Sequence, residues 1–222
     1  RVVAYLEELW RAPRAQRPSV GVVTFNRKQA ELIEDQLELR ASEDESFRLA
    51  LQQERERIVE GEDMSVFIKN VENVQGDERD VIVFSTTFGR NGQGTFRRNF
   101  GVLGQSGGER RLNVAVTRAR QKVVMITSMP INDVSDMFNT QRAPATPRDY
   151  LQGYLEYARA LCAGEFEAST NLLNRLQTDR SAGSSTVRSS QDGFVAIVGE
   201  YLRSLGWAAN PANEGDAVGL DF

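Results

Sequence analysis

Residues 110–120 read R-R-L-N-V-A-V-T-R-A-R, and residues 75–85 read Q-G-D-E-R-D-V-I-V-F-S. The first segment places four arginines within eleven residues. Guanidinium groups are planar, permanently charged and forked, which matches them to phosphate oxygens. The second segment is a polar turn leading into a continuous apolar run, Val81 to Ser85. An arginine cluster on one helix, downstream of such a turn, suits a site for nucleotide phosphates. Apolar spacing at Leu112, Ala115, Val116 and Ala119 predicts a single helix from Arg110 to Arg120. Seven residues apart on that helix, Arg111 and Arg118 would share one face. Gly76 tolerates positive φ and lets backbone approach a ligand closely.

The rest of the chain bounds what such a site can be. With 222 residues and 40% hydrophobic content, it has material for one large domain or two small ones with a real core. A net charge of −4 and a pI near 5.2 argue against a generally basic nucleic-acid coat. The charge is unevenly placed, however. Between Arg90 and Lys122 the only acid is Glu109, whereas acids dominate from Glu31 to Asp63. A local basic face on an acidic protein is compatible with phosphate binding at one place. The single cysteine, Cys162, and the absence of histidine exclude an internal disulfide framework and a Cys/His zinc site. Cys162 reads as a small buried apolar residue in a helix. No apolar run approaches the ~18 residues of a membrane span, and no signal peptide is visible, so a reducing cytoplasm is the expected setting. Both ends, Arg1 and Phe222, read as cuts within a longer polypeptide.

The elements that must position these residues alternate. A helix is expected over residues 1–16, a strand at Val20–Phe25, and a helix capped by Asn26 with Ala30, Ile33 and Leu37 facing inward. Residues 41–63 read as an exposed charged helix with flexible flanks. Strands follow at Val66–Ile68, Val81–Ser85 and Val123–Thr127, and residues 89–108 read as a long loop, weakly ordered in the free chain. Alternating strands and helices imply a parallel sheet with ligands at the carboxyl ends of its strands. After Pro147 a helix is spaced by Leu151, Leu155, Ala158 and Leu161. Residues 178–192 read as a linker, and 193–222 as the start of another unit.

There is no G-x-x-x-x-G-K-[ST], so no loop of this chain cradles β- and γ-phosphates. Asp77-Glu78 is not a Walker B pair, because it precedes the apolar strand rather than following it. The two quoted segments resemble motifs V and VI of superfamily 1 helicases, in the nonsense-decay and Dna2-type branch. V-V-T-F-N-R at 22–27 is similar to motif IV. K-N-V-E-N-V-Q-G-D-E-R-D, N-F-G-x-L at 99–103 and G-G-E-R-R-L-N-V-A at 107–115 look typical of a bacterial subfamily of very large helicases with an appended restriction-endonuclease-like domain.

The resemblance implies an α/β fold. Residues 1–130 would be the second RecA-like domain, a parallel sheet with flanking helices. Residues 131–177 would be a helical connector, and residues 193–222 the start of a small endonuclease-like α/β domain. It implies an ATP-dependent DNA helicase that works with a first RecA-like domain of the same polypeptide. That absent domain would hold most of the ATP and Mg²⁺. Arg118 becomes the arginine finger, and Gln75, Gly76, Glu78 and Arg111 the other nucleotide contacts. Glu78 meets the nucleotide near its sugar or else pairs with Arg79, Arg111 or Arg120. Arg111 adds a second positive charge or pairs with an acid. Arg120 is tied to the acidic turn at 77–80, and Asp80 caps that turn. Thr24, Phe25, Asn26 and Asn73 are the expected contacts to single-stranded DNA, with core packing the other reading of Phe25. Asp221 stands where a nuclease's first metal ligand would fall, or is an ordinary acid. Two rival functions remain: a non-catalytic nucleic-acid-binding module, and an RNA-directed helicase of the same branch.

Overall fold

The computed structural model describes residues 1–177. The expected linker and the segment 193–222, with Asp221, lie outside the described residues. The chain runs α1 (Val2–Trp10), β1 (Val20–Thr24), α2 (Arg27–Glu43), α3 (Glu45–Arg55), β2 (Ile58–Val59), β3 (Glu62–Asp63), β4 (Phe67–Asn70) and β5 (Arg79–Gly89). It continues with α4 (Gly108–Val116), β6 (Ala119–Ser128), α5 (Ile131–Val134), α6 (Met137–Thr140), α7 (Pro147–Cys162) and α8 (Phe166–Gln177). β4, β1, β5 and β6 form one parallel sheet in that order, and β2 and β3 form a separate antiparallel hairpin. This is the parallel α/β sheet that the alternation of strands and helices predicts, in the RecA-like arrangement that the resemblance implies. Among the described residues no helix is long and apolar enough to cross a membrane.

The sheet divides two cores. Val20, Val22, Val81 and Val83 face α1, α2 and α3, whereas Val23, Ile82 and Phe84 face α4 and α7. Alternate residues of one strand therefore serve opposite faces, as a strand's two-residue period requires. Both faces are covered, which is why the strand sequences read as unbroken apolar runs. Each fully buried Phe or Leu contributes about 1.5–3 kcal/mol. Gly21 lets the Phe67 ring lie directly against β1, since a Cβ there would stand 2.2 Å from the ring. α7 contributes Leu151 and Leu155 to the α4 side, so the expected connector is packed onto the sheet.

Several expectations need correction. Residues 41–63 are not one exposed helix. Asp44 ends α2 and caps α3, accepting from the Phe47 amide at 3.0 Å. α3 buries Phe47, Ala50, Leu51 and Glu54. Its polar majority hid an apolar stripe at i, i+3, i+4, and Glu54 is held inside by Arg17 (3.3 Å) and Arg57 (3.0 Å). The loop over 89–108 carries core anchors that its composition did not announce: Phe100 and Leu103 are buried, and the Phe100 ring meets Phe88 edge-on at 5.5 Å. Arg98 donates to the Asp133 carbonyl at 2.6 Å, and Arg90 pairs with the Asp133 carboxylate. Cys162 is exposed at the end of α7.

The helix expected over 110–120 stops at Val116. The Arg118 carbonyl accepts from the Arg79 amide at 3.1 Å, and Ala119 already pairs with Arg79 in the sheet. No glycine or proline marks this stop. Strand pairing outweighs a helical spacing that would have continued, so Arg111 and Arg118 do not share a helix face.

Candidate functional site

In a parallel sheet all strands start at one edge and finish at the other. The residues singled out by sequence fall on both edges. At the amino edge, the turn Gln75–Arg79 enters β5, and Thr117-Arg118 enters β6. The turn is built by Gly76 at φ +89°, with nothing within 4 Å of where a Cβ would stand. Gln75 is exposed beside it. Arg79 fastens the turn from below: its buried guanidinium lies over the Phe67 ring (5.1 Å) and donates to the carbonyls of Ser65 (2.8 Å) and Glu78 (2.7 Å). Burial pulls the Arg79 pKa below its ordinary value, with nearby acids opposing the effect.

Asp80 does more than cap the turn. Its carboxylate accepts from the Ser19 amide and hydroxyl, both at 2.8 Å, and from Gln121 at 3.1 Å. It thereby ties together the beginnings of β1, β5 and β6. Sequence reasoning missed Ser19 and Arg79 as supports. The available signal was a charged residue opening an otherwise apolar strand.

On this platform the Glu78 carboxylate faces two arginines. Its Oε1 lies 3.3 Å from Arg118 Nη1, and its Oε2 lies 3.6 Å from Arg120 Nε. Arg118 also donates from Nε to the Val114 carbonyl (3.0 Å) and from Nη2 to the Thr117 hydroxyl (3.2 Å). Its side chain is 21% exposed, so the guanidinium is held but reachable. Arg120 is tied to the acidic turn as expected, and reaches Glu62 of the β2–β3 hairpin at 3.6 Å as well. Arg111 does not join this group. It sits in the first turn of α4, at the far end of that helix from Thr117-Arg118, with its guanidinium on the Ser106 carbonyl at 3.5 Å.

α4 itself is placed by two glycines. Gly107 caps it at φ +80°. Gly108 packs so tightly that a Cβ there would lie 2.4 Å from the Leu103 carbonyl oxygen. The G-G-E-R-R run thus fixes where the arginine-bearing segment starts.

The nucleic-acid candidates lie mainly at the carboxyl edge. Thr24 is fully buried, and its hydroxyl donates to the Asn26 carbonyl at 2.7 Å. Phe25 is a core residue packed edge-on against Phe84 at 6.3 Å. Neither side chain is open to a strand here, because both are committed to packing and to the turn after β1. Asn26 is half-buried and caps α2 through the Gln29 amide at 2.8 Å. Asn73 is exposed in the loop after β4.

The same edge holds a crevice of about 400 Å³ that the sequence did not announce. Gln29, Ser85, Thr86, Thr87, Thr127 and Ser128 line it. Gln29 donates to the Ser85 hydroxyl at 3.1 Å, and the Thr86 hydroxyl donates to that of Thr127 at 2.8 Å. Thr87 has φ +65°, a strained backbone for a β-branched residue. The crevice lies where the connection after β1 leaves for one face of the sheet and that after β5 for the other, which is the usual ligand position in open α/β sheets. A run of hydroxyls, S-T-T, closing an apolar strand was the only hint. Arg118 lies at the opposite edge, so the molecule carries two separate polar surfaces.

Comparison with known proteins adds the following. Residues 1–130 match the family described as AAA domain. The chain is 37% identical over 168 residues to the uncharacterized ATP-dependent helicase MG140 homolog of Mycoplasma pneumoniae. It is 35% identical over 170 residues to the uncharacterized ATP-dependent helicase MG140 of Mycoplasma genitalium. These alignments cover 75% and 76% of this chain but 14% of each relative, so the chain spans about one seventh of their length.

Proposed function

Since the chain belongs to the AAA domain family, we propose that it is the second RecA-like domain of an ATP-dependent DNA helicase or translocase, with Arg118 as its arginine finger. The observation that carries this is the Glu78/Arg118 pair on a turn braced by Arg79 and Asp80. Phosphoryl transfer spreads negative charge over the equatorial oxygens of the γ-phosphate, and a planar guanidinium stabilises that charge. ATP is the substrate. Its triphosphate would be cradled by a first RecA-like domain and met across the cleft by Arg118, with Gln75, Gly76 and Glu78 beside it. Glu78 would exchange its ion pair with Arg118 for a contact near the sugar. Mg²⁺ would be held mainly by the first domain, where the phosphate loop belongs. Arg111, remote from Glu78, is assigned no nucleotide contact in this proposal.

Single-stranded DNA would run along the carboxyl edge, past Asn26, Asn73 and the hydroxyl-lined crevice. Contacts of that kind grip sugar and phosphate without reading sequence. RNA is the alternative strand, and competition between the two for the full-length protein would separate them. Closure of the two domains on ATP and reopening after hydrolysis would alternate the grip. The two helicase relatives support this reading.

The test is direct. In the full-length protein, Arg118→Ala should lower ATP turnover by about 10³-fold or more, with ATP binding changed far less. Arg118→Lys should restore little, because lysine lacks the planar fork. The 222-residue chain alone should not hydrolyse ATP, since its sequence has no phosphate loop. Turnover by the Arg118→Ala protein within a few-fold of wild type would remove Arg118 from the role.

A further inference from the structure

Glu78 stands between two cations of unequal freedom. Ala119 pairs with Arg79 in the sheet, so Arg118 and Arg120, one residue to either side, flank the same point of β5. Each takes one oxygen of Glu78, Arg118 at 3.3 Å and Arg120 at 3.6 Å. Arg120 has a second anchor in Glu62, at 3.6 Å, on the β2–β3 hairpin. The hairpin is itself tied to the sheet through Asp63, which lies 3.9 Å from Arg79. The four side chains Glu62, Glu78, Arg118 and Arg120 form a neutral set.

We propose that Arg120 is a positioning residue for the reaction: it keeps Glu78 in place when Arg118 leaves for the transferring phosphoryl group. This rests on the assignment of Arg118 as the finger. For Arg118 to act, its bond to Glu78 must open. With Arg120 present, Glu78 retains a cation at its other oxygen, and the carboxylate neither follows the finger nor pulls it back. Without Arg120, Arg118 is the remaining cation at Glu78, and carboxylate and phosphate compete for one guanidinium. Glu62 holds Arg120 from the far side, so the hairpin takes part in setting the finger's release. All these side chains are partly exposed and screened by solvent, so the effect is modest beside the loss of the finger itself.

The experiment compares Arg120→Ala, Arg120→Lys, Glu78→Gln and the Arg120→Ala/Glu78→Gln double variant in the full-length protein, reading kcat and KM for ATP separately. Arg120→Ala should lower kcat about fivefold with little change in KM, and Arg120→Lys should keep most of the wild-type rate. Glu78→Gln should raise KM. The double variant should regain the kcat of Glu78→Gln alone, because no carboxylate is left to detain Arg118. Added salt should raise kcat of Arg120→Ala relative to wild type, since it weakens the competing pair; a purely structural role would not produce that response. An unchanged kcat in Arg120→Ala, or a loss that Glu78→Gln does not relieve, would overturn the proposal. If Arg118→Ala abolishes turnover while Arg120→Ala does nothing, only the positioning role fails. If Arg118→Ala itself is harmless, the finger assignment fails and this role with it.

Discussion

The two edges of the sheet are built from different chemistry. At the amino edge the polar groups are ions: Glu62, Glu78, Arg118 and Arg120 within 4 Å of one another in pairs. At the carboxyl edge, apart from Arg1 at the rim of the crevice, they are hydroxyls and amides, among them Gln29, Ser85, Thr86, Thr87, Thr127 and Ser128. A movable cation can meet charge that appears only during a reaction. Neutral donors and acceptors can hold a polymer loosely enough to let it slide. The contrast matches the division of labour proposed here, with phosphoryl chemistry on one edge and strand contact on the other.

Each edge also has its own carboxylate brace. Asp80 gathers the strand beginnings through Ser19 and Gln121. Asp149, fully buried at the start of α7, gathers the segment that follows β6. It accepts two bonds from Arg142 at 2.8 Å, one from the Ser135 hydroxyl, and one each from the amides of Ala145 (2.8 Å) and Thr146 (2.7 Å). Burial opposes ionisation of Asp149, but the bonds from Arg142, Ser135 and the two amides outweigh it and hold the carboxyl well below the usual carboxylate range.

The comparison can be broken most decisively at Arg118. The roughly 10³-fold loss of turnover expected of Arg118→Ala should leave nucleotide-free affinity for single-stranded DNA within about twofold, because binding there rests on other contacts. Weakened strand binding of the same order as the lost turnover would show that the edges are not independent. The next largest effect concerns the braces. Asp149→Ala should destabilise the protein by about 3 kcal/mol in denaturant unfolding, since it removes the acceptor of the Ser135 hydroxyl and two amides and leaves Arg142 with Asp136 as its one carboxylate partner among the described residues. Its ATPase rate at 25 °C should survive if the amino edge is braced separately by Asp80.

Acid should act on the same group. A carboxyl held low in the folded state contributes its full stabilisation above its unfolded pKa of about 4 and loses it as pH falls further toward the folded value. Unfolding free energy should therefore drop below pH 4 in the wild type and drop less in Asp149→Ala. Equal slopes would mean that other carboxyls carry the acid sensitivity. The smallest effect is expected at the crevice. Gln29→Ala removes one amide and should weaken strand binding by roughly one hydrogen bond, about fivefold, with turnover at saturating strand unchanged. A turnover defect without an affinity defect would detach the crevice from the strand.

Local signals determined much of this protein. Alternation of apolar runs and helical stripes announced the parallel sheet, because a strand buried on both faces and an amphipathic helix each leave a period in sequence. Asn26 as a helix cap and Gly76 as a positive-φ turn were legible for the same reason: each depends on residues close in sequence or on one residue's own geometry. Tertiary structure decided the rest. The helix over 110–120 ends at Val116 because the Arg118 carbonyl and Ala119 pair with Arg79, a partner forty residues away that no local period records. Phe25 sits in the core because Phe84 and Phe88 lie against it. Gly108 is required by a carbonyl five residues back that folds onto it. The separation of Arg111 from Arg118 follows from where α4 ends, and the crevice from the strand order and helix placement that bring Gln29 of α2 against Ser85 and Thr127. Sequence fixes which residues can carry charge or donate a bond; strand order and direction fix which of them meet.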